Sequence, residues 1–396
     1  MKVIYTAAHG GFAAEHAPLG GGAAVCDMLC AEWARTRPFE LELYKPRGVT
    51  GAAITSFDTK AYARFCREFG QASTEFILKH DPRTTAVLVN DISEGPDFKL
   101  LHAQGYRIVT LWHVDVVAYI ASMYAKGLVS PRTLVKLDAA FGWMFPDMLN
   151  LVFDKQSDCL DYSFAHIVPT PDVKQTILET YSHINSGKID VVPWGAPPTS
   201  EPPAPRDAAR AAFGIPHDAF VMLTLSRLSP EKNQQLLLDA LYSWEQQRNF
   251  PARPMYVLVC GAAAYMQGAR HEASLRANAA RLRKTKVIFA GHVHGQRKRE
   301  AFGAADLYVF PSKHESYGLT LMEAFQAGLP ALTLKHVGAA ALMDPAFGVM
   351  TTRSGFLPAL QRLVSAGLPA MGAAARDHAS AHPFAGAAAR VAARLI

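Results

Sequence analysis

Two pairs of residues in this chain have types and spacings that suit a chemical site. Glu315 and Glu323 stand eight positions apart in PSKHESYGLTLMEAFQAGLP (residues 311–330), with Gly318 between them. Arg227 and Lys232 stand five apart in LTLSRLSPEKN. Two cations just after an apolar run suit a phosphate or diphosphate, the lysine as a compact point charge and the arginine as a planar fork. Gly318 permits close backbone approach, and the N–H groups of Leu319, Thr320 and Leu321 open a helix whose N-terminus attracts an anion. Glu323, expected in the first helical turn, is then placed to accept hydrogen bonds from ribose hydroxyls, and Glu315 to reach a sugar beyond the phosphate. Plainer readings stand beside these. TLME is itself a capping box, which would spend Glu323 on its own helix, and cations after a strand are often ordinary surface residues. A retaining glycosidase with Glu315 and Glu323 as acid and nucleophile fits less well, because it has no use for the cations.

What must position these residues is a set of strands. Short apolar runs (KVIYTAA, ELELYK, AVLVN, RIVTLW and AHIVPT, then FVMLTLS, YVLVCG, KVIFAG, DLYVFP and ALTL) alternate with segments of helical spacing. Strands apolar on both faces and separated by helices predict parallel sheets covered on both sides. The proline-dense stretch 193–216 breaks regular structure and reads as a linker. The expectation is an α/β chain of two Rossmann-like, doubly wound domains facing each other across a cleft. They span residues 1–195 and 196–375, followed by a helical segment, 376–396, broken at Pro383. Ligands of such sheets lie beyond the carboxyl ends of the strands. The loops APLGGGAA, VNDISEGPD, LWHVDVV, SRLSPEKN and PSKHESYG all fall there.

The 396 residues are half hydrophobic and 19% charged, which suits two globular cores and excludes a disordered chain. A formal charge of +6 and a pI near 9.0, with no basic tract interleaved with aromatics, imply no nucleic-acid partner. They fit an anionic small ligand or loose contact with an acidic membrane. Cys26 and Cys30 lie one helical turn apart but lack a second pair at metal-ligand spacing. The five cysteines therefore read as thiols in a reducing compartment. The chain shows no apolar run of transmembrane length and no signal-peptide pattern at MKVIYTAAHGG, so the expected location is the cytoplasm.

Taken together the motifs resemble the retaining glycosyltransferases of GT-B fold, glycosyltransferase family 4. The segment 311–330 resembles that family's E-x7-E signature and SRLSPEKN its R-L-x-x-x-K phosphate loop. VIFAGHV is similar to its nucleobase loop, PLGGGAA to its N-terminal glycine loop, and VVPWGA to its interdomain P-N-G turn, with Trp194 in place of asparagine. Ser226 stands where a glycine often precedes the arginine. The resemblance implies that Arg227 and Lys232 neutralise a donor diphosphate, Glu323 holds the ribose and Glu315 the donor sugar. It further implies that backbone groups of Gly318, Leu319 and Thr320 contact the sugar and distal phosphate, and that His292 and Val293 flank the base. Gly21 and Gly22 would close on the diphosphate, and His113 would lie beside the donor's C6 hydroxyl at the reacting centre. The implied reaction moves a sugar from a nucleoside-diphosphate sugar to a hydroxyl or amine, with retention. No D-x-D sequence ends a strand, so no metal and no cofactor beyond the donor is expected. A UDP-sugar is the default donor and a GDP-sugar the second choice. An epimerase or phosphorylase of the same shape, or a silent nucleotide-sugar-binding protein, are the alternatives.

The acceptor, whether a small molecule, a glycan or a lipid-linked sugar, is expected on the first domain. Asn90, Asp91, Glu94 and Asp115 follow strands there and suit hydroxyls or amines, although Asn, Asp and Gly also serve turns. Segment 117–153 carries Tyr119, Met123, Tyr124, Trp143, Met144, Phe145 and Met148. These residues line an acceptor pocket, or rest weakly on a membrane with help from Lys126, Arg132 and Lys136, or are simply core.

Overall fold

The computed structural model describes residues 1–10, 20–46, 57–123, 128–199, 201–263 and 268–396. Tyr124, Lys126, the Met123 side chain, and Pro18 and Leu19 of the glycine loop lie outside what is described. The chain divides into two compact units: Met1–Trp194 with Phe384–Ile396, and Gly195–Pro383. Each is built on one six-stranded sheet whose pairings are all parallel.

In the first unit the strands are β1 (Lys2–Thr6), β2 (Glu40–Tyr44), β3 (Thr85–Val89), β4 (Arg107–Leu111), β5 (Ala165–Val168) and β6 (Ile189–Val191). They lie in the order β2-β1-β3-β4-β5-β6. β3 is buried along its whole length whereas the edge strand β2 is not, as expected for a sheet with helices on both faces. The final helix, Phe384–Leu395, belongs to this unit and buries Phe384, Ala387, Ala388, Val391 and Leu395. Trp33 Nε1 donates to Ala388 O at 3.2 Å and Arg107 Nε to Arg394 O at 3.0 Å. The preceding helix, Leu368–Ala381, stays with the second unit, and the break falls at His382 and Pro383, where proline cannot continue a helix.

The second unit contains β7 (Phe220–Leu225), β8 (Met255–Cys260), β9 (Thr285–Gly291), β10 (Leu307–Phe310), β11 (Ala331–Leu334) and β12 (Gly348–Thr351), in the order β12-β11-β10-β7-β8-β9. Leu237, Leu241 and Trp244 from the helix Gln234–Glu245, and Phe356 and Leu360 from Phe356–Ser365, share a core with Val257, Val259 and Val309. Truncating one such leucine to alanine costs about 2–5 kcal/mol.

Two elements were not legible as strands: β6 is only three residues long, and β12 (GVMT) is buried at Gly348 alone, so neither shows a fully apolar run. The stretch 193–216 is also more than a linker. It holds a helix, Arg206–Ala212, entered through Pro205. Arg210 on that helix is buried within the second unit, donating to Asp306 Oδ2 at 2.7 Å and Ala304 O at 3.1 Å. The prolines flank DAARAA and leave its alanines free to turn.

Candidate active site

In each sheet the strand order reverses once, between β1 and β3 in the first unit and between β7 and β10 in the second. Loops leaving the carboxyl ends on either side of such a reversal part to opposite faces and open a crevice. Gly21 and Gly22, Asn90, Asp91 and Glu94, Arg227 and Lys232, and Glu315 follow those four strands, whereas His113 and Asp115 follow β4 and His292 and Val293 follow β9.

In the second unit the loop after β7 carries Arg227 and Lys232, and the loop after β10 carries Glu315. Asn233, in a left-handed conformation (φ 55°), donates from Nδ2 to Pro311 O at 3.1 Å, and Lys313 N donates to Glu231 O at 2.9 Å. These bonds lace the two loops together. Lys232 and Glu315 form a largely buried ion pair, and Ser312 Oγ donates to the same carboxylate oxygen at 3.0 Å. Burial alone would raise the Glu315 carboxyl, but the Lys232 ammonium outweighs it and holds the group below the ordinary carboxylate range. Arg227 Nη2 lies 3.6 Å from Glu231 Oε1, which also accepts from Ser229 Oγ at 2.6 Å. The back of the Glu315 loop rests on Gly338, whose N–H donates to Glu315 O at 2.9 Å. A methyl at Gly338 would sit 2.8 Å from the backbone of Tyr317.

Gly318 takes φ 101°, a left-handed conformation that favours glycine, and is the N-cap of the helix Leu319–Gln326. Gly318 O accepts from Leu321 N at 3.0 Å. The helix-opening N–H groups not used within the turn are therefore those of Leu319 and Thr320, and the Leu321 N–H is already spent. Because the helix opens at Leu319, Thr320 is not its cap and Glu323 is its fifth residue, beyond the first turn. The capping-box reading of TLME is thus incorrect. Glu323 Oε1 instead accepts from Lys298 Nζ at 2.6 Å, while Oε2 is buried with no hydrogen-bond partner among the described residues. His292 is exposed after β9, its ring 6.0 Å from that of His294, whereas the Val293 side chain is buried.

In the first unit, Gly22 lies in the first turn of the helix Gly21–Thr36, so close to His113 that a Cβ on it would sit 3.0 Å from His113 Cδ2. Asn90 Nδ2 donates to Asp91 Oδ1 at 3.1 Å, which orients the amide. Its Oδ1 then accepts from Tyr5 OH at 2.6 Å and from His113 Nε2 at 3.0 Å. The His113 proton therefore sits on Nε2, leaving Nδ1 as an acceptor. Burial, and secondarily the charge of His9, pushes this imidazole down to about 4, so the ring is neutral at pH 7. Trp194, fully buried, packs its ring 5.8 Å from that of His113.

Asp91 and Glu94 face His9, which sequence reasoning missed. Asp91 Oδ2 accepts from Ala8 N at 2.8 Å, and Glu94 Oε1 contacts His9 Nε2 at 2.8 Å and Tyr62 OH. Burial raises the Asp91 carboxyl. Burial would raise Glu94 too, but its bonds to His9 and Tyr62 hold it below the ordinary range. Asp115 stands apart as the cap of the helix Val116–Met123, its Oδ1 accepting from Ala118 N at 3.0 Å and Gln156 Nε2 at 2.9 Å. Of the partners revealed here, Lys298 and His9 carry no local motif, because each meets a carboxylate on an element distant in sequence.

The family described as glycosyl transferases group 1 matches residues 205–355. The D-inositol 3-phosphate glycosyltransferase of Nocardia farcinica (strain IFM 10152) is 30% identical over 185 residues, which is 46% of this chain and 40% of that protein. The match therefore spans less than half of that relative's length. The D-inositol 3-phosphate glycosyltransferase 2 of Catenulispora acidiphila is 32% identical over 393 residues, 91% of this chain and 88% of that one. Among solved structures, Anabaena Alr3699/HepE in complex with UDP and glucose superposes with a TM-score of 0.67 at 15% identity, covering 99% of this chain and 98% of that one. Its likeness is one of fold. Two doubly wound sheets with polar loops at both reversal points are the GT-B architecture, and with a relative matched almost end to end the chain belongs to the group 1 glycosyltransferases.

Proposed function

We propose that this protein is a retaining glycosyltransferase of family 4, moving a sugar from a nucleoside-diphosphate sugar to an acceptor hydroxyl or amine without a metal. The observation that carries the reading is the convergence at the β7/β10 reversal. Lys232 and Arg227 stand on one loop, and Glu315 and the Gly318 helix N-terminus on the other. Lys232, Arg227 and the N–H groups of Leu319 and Thr320 receive the diphosphate, and the unpartnered Oε2 of Glu323 accepts from the ribose hydroxyls. Glu315, kept ionised by Lys232, binds the donor sugar. The complexes of Anabaena HepE with UDP support a UDP-sugar donor.

In the reaction the anomeric C–O bond to the diphosphate breaks and the electron pair leaves on the phosphate oxygen. The acceptor oxygen bonds to the anomeric carbon from the face the phosphate vacates and gives its proton to a phosphate oxygen, so configuration is retained. Preorganised cations stabilise the departing charge, and removing one such contact costs about 100- to 1000-fold in rate. The neutral His113, with Nδ1 bare, accepts from a sugar hydroxyl. Asp91 and Glu94 suit a polyol or amine acceptor, and the relatives named for D-inositol 3-phosphate support a polyol. The buried cysteines support the reading of a reducing, cytoplasmic compartment.

The test is calorimetric titration with UDP, GDP and ADP, followed by transfer assays with EDTA and proton NMR of the product's anomeric centre. Tight UDP binding, EDTA-resistant transfer and an unchanged anomeric configuration are expected. Inversion, or an absolute requirement for a divalent cation, would overturn the mechanism.

A further inference from the structure

Among the described residues no helix is long and apolar enough to cross a membrane, yet the first unit shows an apolar face of another kind. The helix Pro131–Phe141 buries none of its residues. Leu128 is 86% exposed, Phe141 50%, Trp143 82% and Met144 64%. Isolated apolar residues on a surface are ordinary, but a run of large ones on a single segment marks an interaction site. Arg132 and Lys136 are exposed on the same helix. Its one carboxylate, Asp138, is half-buried, and the burial raises its pKa. The next carboxylate along, Asp147, is paired with Arg67. The exposed charge on residues 128–144 is therefore positive.

We propose that residues 128–144 dock this protein on an anionic lipid bilayer. Trp143 and Met144, carried on the turn Gly142–Met144 at the end of the helix, enter the headgroup boundary with Phe141 and Leu128. Indole rings favour that depth, where an apolar body and a polar N–H are both accommodated. Arg132 and Lys136 lay their stems along the apolar layer and hold their charged heads against lipid phosphates. A second copy of the chain fits the surface less well. A two-fold contact lays a patch upon itself, and Arg132 and Lys136 would then meet like charges with no exposed carboxylate on the segment to pair with them.

The molecule carries its own reporter. Four of its five tryptophans, Trp33, Trp112, Trp194 and Trp244, are at most 3% exposed. A blue shift of tryptophan emission on adding vesicles therefore reads Trp143. With phosphatidylcholine vesicles containing phosphatidylglycerol, the full chain is expected to blue-shift and to co-sediment. Trp143→Phe should abolish the shift and keep the sedimentation. Replacing Arg132 and Lys136 by serine should lower partitioning about thirtyfold at low salt, at about 1 kcal/mol for each cation. Replacing Phe141, Trp143 and Met144 by serine should abolish sedimentation. These residues are exposed, so the far-UV spectrum and Tm should hold. Absence of both shift and sedimentation overturns the proposal, as does equal binding to vesicles of phosphatidylcholine alone. A dimer in analytical ultracentrifugation that the serine variant dissociates, without vesicle binding, would assign the face to a second copy instead.

Discussion

Lys298 Nζ lies 2.6 Å from Glu323 Oε1, and the other oxygen of that carboxylate is buried with no partner among the described residues. A carboxylate so held is oriented at one oxygen and open at the other. An unpaired buried acceptor is costly unless a ligand satisfies it. Lys298, on the helix Gly295–Ala304, is thus an orienting residue for Glu323, and in the proposed function a ribose hydroxyl would complete the pairing.

Glu323→Ala should therefore weaken UDP binding. Hydrogen bonds to a charged group contribute about 1.5–3 kcal/mol, so the Kd measured by calorimetry should rise about tenfold to a hundredfold. Lys298→Ala, which leaves the carboxylate in place, should cost less. An unchanged Kd for Glu323→Ala would remove that residue from the nucleotide site.

Lys232→Ala should lower kcat about 100- to 1000-fold by removing a cation from the departing diphosphate. It should also change the dependence of stability on pH. In the wild type the Glu315 carboxyl is held below its unfolded value, so the pair contributes stability at pH above the ordinary glutamate range. That contribution is lost as pH falls through the depressed value. In the variant Glu315 is buried without its cation. The loss of stability should be largest near neutrality and shrink in acid as the carboxyl protonates. Urea melts at pH 7 and pH 4 that show the same difference would refute the account.

His113, pushed down to about 4 in the folded protein, binds fewer protons than the unfolded chain does between about pH 6.5 and 4. It therefore subtracts stability as pH falls through that window. His113→Gln should flatten this part of the stability profile while lowering kcat. The wild-type kcat profile should show no inflection from this histidine between pH 5 and 7. Asn90→Ala frees the ring that Asn90 Oδ1 holds, and should lower kcat about tenfold, the low end of what misplacing a reacting contact costs, with UDP affinity unchanged.

Arg210→Met tests the helix inside the proline-rich stretch. It leaves Asp306 with Val221 N and Arg206 but without its buried guanidinium. Breaking a buried pair costs about 3–5 kcal/mol, and the remaining Arg206 points to the low end. Urea unfolding should show that loss while UDP affinity, measured under native conditions, stays as it was. A neutral substitution would mean that residues 206–212 are a surface tether after all.

Much of the architecture was legible in the sequence because buried parallel strands must be apolar on both faces. AVLVN, FVMLTL and YVLVC declare themselves by composition alone. The loops that follow them were legible for a related reason, since the fold confines ligand chemistry to strand ends. Residues such as Arg227, Lys232, Glu315 and Gly318 are read as soon as the strands are. Local pattern went astray where neighbours decide. TLME has the letters of a capping box, but the left-handed Gly318 starts the helix two residues earlier and turns Glu323 toward Lys298.

What only the tertiary structure decided is which groups meet and which surfaces stay uncovered. Lys298 and Glu323 are 25 positions apart, and His9 and Glu94 are 85. No periodicity encodes such pairs, because the sheet order that joins them is a property of the whole chain. The same holds for Trp143 and its neighbours. Spacing tells which side chains share a helix face, but whether another element covers that face depends on where every other helix packs. Composition and period thus determined the layers and the positions of the polar loops. Packing alone decided the partners of each carboxylate and left residues 128–144 facing outward.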